Sequence, residues 1–218
     1  CIGSKDRTVY ALDAASGDEV WTSETGGEVE CTPAVAGGTV YVGSDGGTMY
    51  ALGTEAGDER WTFPTDDIAQ SPPAVVDGTV YFGTGGGTLY AVGADSGDEQ
   101  WSALIGDITL TSPAVADGTV YVASNGTTVR AYDAGTGEDE WLYGTGDVIL
   151  SSPTVADGTV YVGSNDQSVY ALAADTGDER WTYETEHPFN SSSPAVVDGT
   201  VYIGNGDAEG RLFALSER

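Results

Sequence analysis

The side chains able to do chemistry in this sequence are mostly carboxylates. The chain of 218 residues has 35 acidic residues against 7 basic ones, with one histidine and two cysteines. Asp67, Asp107, Asp147 and His187 keep a fixed interval, each six residues past a tryptophan, and Gly27 holds the same place once more. Oxygen ligands of this kind suit a hard cation such as calcium, provided that they converge on one coordination sphere. Asn205-Gly206-Asp207-Ala208-Glu209-Gly210 alternates oxygen-bearing side chains in the manner of a calcium loop, with Asp207 and Glu209 as weak candidate ligands, but it lacks a bidentate end. Solvated turn acids, duplicated along with a repeat, are the plainer account of both patterns, so no metal and no cofactor is expected.

Nucleophilic chemistry finds less support. A Ser–His arrangement would depend on His187, which stands before Pro188 with no motif around it. Cys1 and Cys31 lack metal-site spacing, and nothing in their positions demands a bridge. Small hydroxyls gather before prolines, at Thr111-Ser112, Ser151-Ser152 and Ser191-Ser192-Ser193. They can hydrogen-bond a ligand or relieve crowding where strands converge. Arg130 replaces the tyrosine found at Tyr10, Tyr50, Tyr90 and Tyr170, and can pair with an acid, stack on a ring or touch a ligand.

A formal charge of −28 argues against nucleic acid and against an anionic membrane surface, both of which call for clustered Lys and Arg. No apolar run reaches the roughly 18 residues of a membrane-spanning helix, so direct membrane insertion is not expected. The chain begins at Cys1 without a methionine or a visible signal segment, which leaves its true N-terminus open.

The elements that position these residues are set by the tryptophans. Trp21, Trp61, Trp101, Trp141 and Trp181 recur every forty residues, the interval of a repeat architecture. Within one unit the apolar period is two. Residues 74–76, 79–83, 88–92 and 99–104 read as strands A, B, C and D, with Asp77-Gly78 as a type I′ hairpin turn and glycine-rich loops elsewhere. Short four-stranded antiparallel sheets, apolar on both faces and repeated, predict a β-propeller; a stacked β-solenoid is the weaker alternative. One unit cannot bury its own apolar faces, so residues 1–218 read as a single domain.

Ala11-Leu12-Asp13-Ala14-Ala15-Ser16-Gly17-Asp18-Glu19-Val20-Trp21 resembles the Ala-x-Asp-x-x-Thr-Gly-x-x-x-Trp signature of the PQQ-type (pyrroloquinoline-quinone-type) propeller repeat, and the resemblance recurs in phase along the chain. The signature Asp returns only at Asp133; Gly53, Gly93 and Ala173 stand in its place elsewhere. The resemblance implies that the five tryptophans and the turn glycines Gly17, Gly57, Gly97, Gly137 and Gly177 lock blade to blade. Four units are complete, the first begins in strand B, and the last, Ser193 to Arg218, lacks strand D. This implies part or all of a five- to eight-bladed ring: the C-terminal part of a larger propeller, or a six-bladed ring with two short blades whose ends could self-associate.

Alternation along the sheets puts the A–B and C–D turns on one side and the B–C and D–A loops on the other. The second side varies more between units. The resemblance implies a cofactor-free scaffold that binds protein partners through that face, outside the cytoplasm or at a cell surface. The scarcity of lysine among so many acids resembles proteins of salt-loving archaea. A PQQ-dependent alcohol or sugar dehydrogenase, holding PQQ and calcium, is the rival reading, and a carbohydrate-binding propeller the third. The adjacent cysteines of the quinone enzymes do not occur here.

Overall fold

The computed structural model describes residues 1–107, 111–206 and 210–216. Among these no helix forms, and the strands pair into six antiparallel sheets. The chain divides into two compact units, Cys1–Leu110 and Thr111–Arg218.

In the first unit β1 (Ile2–Ser4), β2 (Thr8–Leu12) and β3 (Glu19–Glu24) make a three-stranded sheet. Two four-stranded sheets follow: β4 (Ala34–Ala36), β5 (Thr39–Ser44), β6 (Thr48–Gly53) and β7 (Glu59–Pro64), then β8 (Ala74–Val76), β9 (Thr79–Gly83), β10 (Thr88–Gly93) and β11 (Glu99–Leu104). The second unit has β12 (Ala114–Ala116), β13 (Thr119–Ala123), β14 (Thr128–Asp133) and β15 (Asp139–Gly144), then β16 (Thr154–Ala156), β17 (Thr159–Gly163), β18 (Ser168–Ala173) and β19 (Glu179–Glu184). It closes with three strands, β20 (Ala195–Val197), β21 (Thr200–Gly204) and β22 (Leu212–Ser216). Each strand pairs with its sequence neighbour, the meander that short turns enforce.

Turn chemistry fixes the register. Asp77 (φ 48°) and Gly78 (φ 77°) take the left-handed conformation of a type I′ turn, as do Asp117-Gly118, Asp157-Gly158 and Asp198-Gly199. The middle strands are buried on both faces: every residue of β5, β9 and β17 is buried. The core lies between successive sheets. Tyr41, Met49, Ala51 and Trp61 of one sheet share a cluster with Val80, Phe82, Tyr90 and Val92 of the next. In the second unit Tyr121, Val129, Ala131 and Trp141 meet Val160, Val162 and Leu172.

One device was not visible in the sequence. Beside each tryptophan the C–D ladder slips by one residue: Ala51 pairs with Trp61 but Leu52 with Glu59, and the same shift follows Ala11, Ala91, Ala131 and Ala171. A bulge of this kind bends the strand and re-aims the side chain beside it. The small alanine opposite leaves room for the indole.

Candidate functional site

On the A–B and C–D side the indoles are held by backbone. Trp21, Trp61 and Trp141 donate their Nε1–H to the carbonyls of Thr54, Ala94 and Ala174, at 2.9, 2.8 and 2.9 Å. Two of these carbonyls take a second donor from the same preceding sheet, Tyr41 onto Ala94 at 3.2 Å and Tyr121 onto Ala174 at 3.1 Å. A Cβ built on Gly57, Gly97 or Gly177 would fall 2.5, 2.8 or 2.6 Å from the facing indole, so the ring lies where a side chain would stand. Asp13 and Asp133 cap their own turns, accepting from the backbone of Ala15 and Ser16 and of Gly135 and Thr136. The bonds from Ser16 and Ala15 hold the Asp13 carboxyl below its usual range, and the Thr136 hydroxyl, followed by the Thr136 and Gly135 N–H groups, does the same for Asp133.

The hydroxyls before the prolines serve the backbone. Gly163 N–H donates to Ser151 Oγ and Gly204 N–H to Ser192 Oγ, at 3.2 and 3.0 Å, each across 12 residues of sequence. Thr111 donates to the carbonyl of Ala123 across the same interval. Cys31 occupies this place in the first unit: its sulfur accepts from Gly43 N–H at 3.3 Å and donates to Gly43 O at 3.4 Å. The next hydroxyls along form a ladder, with Ser112 N–H on Ser152 Oγ and Ser152 N–H on Ser193 Oγ, both 3.0 Å. Both cysteines are free thiols, Cys1 exposed and Cys31 buried. Arg130 pairs with Asp139 at 3.0 Å.

The candidate ligands on the B–C and D–A side are local turn residues. Asp67 Oδ1 accepts the N–H of Ile68 and Asp147 Oδ1 that of Val148, both at 2.7 Å. Their carbonyls, like that of His187, accept the hydroxyl of the threonine two residues before, Thr65, Thr145 and Thr185. Asp107 occupies the same kind of exposed bend. Among the described residues, the carboxylates that do converge are others: Glu28, Glu30 and Asp45 bring their oxygens within 4.8 Å of one another. Lys5 forms a salt bridge with Glu30, and Gln70 donates to Asp45 at 2.9 Å. The sole lysine in the chain was the available signal for this cluster, which joins a B–C loop to a D–A loop. Asp207 and Glu209 lie outside the described residues.

Other loops on this side are each held in their own way. Asp66 accepts the hydroxyls of Thr84 and Thr88 at 2.9 and 2.7 Å. Asp166 accepts Tyr170 Oη at 2.6 Å and Gly146 N–H at 2.7 Å. Burial, followed by that bond to Asp166, pushes the Tyr170 phenol up to about 12. In the second unit a cleft of about 360 Å³ is lined by Tyr183, Glu184, Glu186, His187, Arg211 and Phe213, among others.

The family sequence profile described as outer membrane protein assembly factor BamB matches residues 5–109 and 105–218. The chain belongs to this family. No curated protein matches it. Among solved structures it is similar to BamB from Moraxella catarrhalis, at 20% identity and a TM-score of 0.80 over 99% of this chain and 72% of that one. The computationally designed protein Ika8 gives 18% identity and a TM-score of 0.86, over 98% of this chain and 67% of Ika8. Quinohemoprotein alcohol dehydrogenase from Comamonas testosteroni gives 22% and 0.72, over 86% of this chain but only 41% of the enzyme. At these identities the likeness shows the fold, a PQQ-like β-propeller with antiparallel blades.

The fold is shared with a quinohemoprotein alcohol dehydrogenase. The buried thiol, Cys31, is bound to Gly43, and the converged carboxylates are neutralised in part by Lys5.

Proposed function

We propose that the chain is a non-catalytic scaffold that binds a protein partner through its B–C and D–A loops. The observation that carries this is the division of labour between the two sides of the sheets. Indole clamps and I′ turns repeat on one side, whereas the other side presents different chemistry at each unit: Lys5 with Glu30, Asp45 with Gln70, Asp66 with two threonines, Asp166 with Tyr170. Membership in a family described as an assembly factor supports the same reading, and with it a place outside the cytoplasm. The carboxylate-rich surface supports a salt-adapted protein, whose self-repulsion is screened at high ionic strength.

The test is capture from an envelope extract of its own cells. A partner retained by the wild type should be lost when residues 65–67 and 184–187 are replaced by Gly-Ser, and kept when the A–B turns are replaced. Equal loss in both variants would sink the assignment of the face. Adding PQQ and calcium checks the rival: quinone absorbance that stays with the protein through gel filtration would favour a dehydrogenase. Salt adaptation predicts a lower Tm in dilute buffer than in molar salt, and equal values would remove it.

A further inference from the structure

The B–C loops share one backbone device. A residue at a left-handed φ carries its carbonyl to the first residue after strand D, Gly47 to Thr65 and Gly87 to Ile105, with φ 70° and 77°. Glycine takes this conformation at no steric cost. Three loops put a side chain there instead: Arg7 at φ 70°, Thr127 at 67° and Gln167 at 76°. Their carbonyls make the same contact, with Thr25, Thr145 and Thr185. A side chain at such a φ strains the backbone, most of all the β-branched Thr127, and strain of this kind gathers where function depends on it. Nothing inside the chain offsets it. Among the described residues the Arg7 guanidinium, the Thr127 hydroxyl and the Gln167 carboxamide have no hydrogen-bond or ion-pair partner. Arg7 and Gln167 are exposed and Thr127 is half-buried. The loops of Thr127 and Gln167 carry a further cost. Asn125 and Asn165 each bury an Oδ1 without a donor, where Asp45 at the same place in the first unit accepts from Gln70.

We propose that Arg7, Thr127 and Gln167 are contact residues for the protein partner, each donating to a main-chain carbonyl of an extended segment. This rests on the reading that a partner binds through the B–C and D–A loops, and it names the side chains of that face that meet it. All three end in N–H or O–H donors, so the group they lack is an acceptor. A partner met through its carboxylates is disfavoured, because the chain itself carries a charge of −28 and repels acids. Main-chain carbonyls bring no net charge, and an extended segment leaves them open to a second chain. Each contact is local to its own loop. The left-handed backbone aims the carbonyl inward at the residue after strand D and leaves the side chain to serve the partner.

Stability and capture, measured on the same variants, test this. Arg7→Gly, Thr127→Gly and Gln167→Gly should each raise the Tm of the whole chain by about 2–4 °C as strain is released. Each should also bind less tightly the protein that the wild type captures from an envelope extract of its own cells. The loss should be about five-fold for Thr127→Gly and for Gln167→Gly, and about ten-fold for Arg7→Gly, whose bond is charge-assisted. The combined variant should capture none. Asp117→Gly, at φ 50° in an A–B turn on the opposite side, should leave capture unchanged. A fall in Tm overturns the proposal, by showing that the side chains serve the fold. So does an equal loss of capture in Asp117→Gly. Full capture by the combined variant, with capture abolished by Gly-Ser at residues 65–67 and 184–187, overturns this proposal and leaves the reading of the face intact. A wild type that captures nothing overturns both.

Discussion

On the A–B and C–D side of the sheets one contact recurs, an indole N–H onto a turn carbonyl 33 residues later, as at Trp21, Trp61 and Trp141. On the B–C and D–A side the loops are tied by a lysine–glutamate pair, an amide, threonine hydroxyls or a tyrosine, according to the unit. The first side has no freedom because the indole takes the volume of a side chain at the turn glycine and, at Ala94 and Ala174, shares the carbonyl behind it with a tyrosine hydroxyl. The second side needs only some bond that closes each loop, and many residue pairs supply one. Duplication therefore preserves the first set of contacts, and the second is left open to acquire function.

The contrast can be broken hardest at a clamp. Trp61→Ala removes a ring that is 9% exposed, and should cost about 3–5 kcal/mol in chemical denaturation; a loss below about 1 kcal/mol would mean that the clamp carries no stability. Gly97→Val tests the turn: it adds backbone strain at φ 75° and collides with the indole of Trp61. Gly17→Val, at φ 77° with nothing nearby, adds the strain alone. The first should cost more than the second, whose strain is of order 1–3 kcal/mol, and equal losses would remove the indole from the account.

Ser151→Ala leaves the buried N–H of Gly163 without its acceptor, for a loss of about 1–3 kcal/mol. Asp66→Ala, on the varied side, frees the half-buried hydroxyl of Thr88 to water and leaves the buried Thr84 its second acceptor, the carbonyl of Thr88, and should stay within about 1 kcal/mol. The smallest effect is a pH dependence. Asp133 has its carboxyl depressed by Thr136 and Gly135, so its contribution is complete above the unfolded carboxylate value of about 3.9 and fades as pH falls through the lower folded value. The Tm difference between wild type and Asp133→Ala should therefore shrink in acid; a difference that grows there would contradict the capping role.

What the sequence revealed follows from how contacts are encoded. Strand positions and the I′ turns are local, so period-two patterning and Asp-Gly pairs announce them. The tryptophan interval announces the repeat because every unit needs one large side chain in the same place. The bulge beside each tryptophan was silent, since a one-residue slip leaves the alternation of Ala51 and Leu52 untouched. The part played by Cys31 was hidden by chemistry: a thiol stands where Ser151 and Ser192 carry hydroxyls, and only the shared 12-residue interval relates them. Glu28, Glu30 and Asp45 meet only after two loops fold together, whereas Asp67 and Asp147, evenly spaced along the chain, bond to their own turns. Equal spacing only places residues in equivalent sites of different sheets; it does not make them converge.

The sulfur that replaces a hydroxyl at residue 31 gives the first unit a clock. Burial pushes that thiol up to about 11, so in the folded protein at neutral pH it is protonated, sealed and slow to react. Cys1 is exposed and should be alkylated at once. The lag between the two modifications, followed by mass spectrometry, measures how often the ground beneath strand β5 opens, without a mutation or a label.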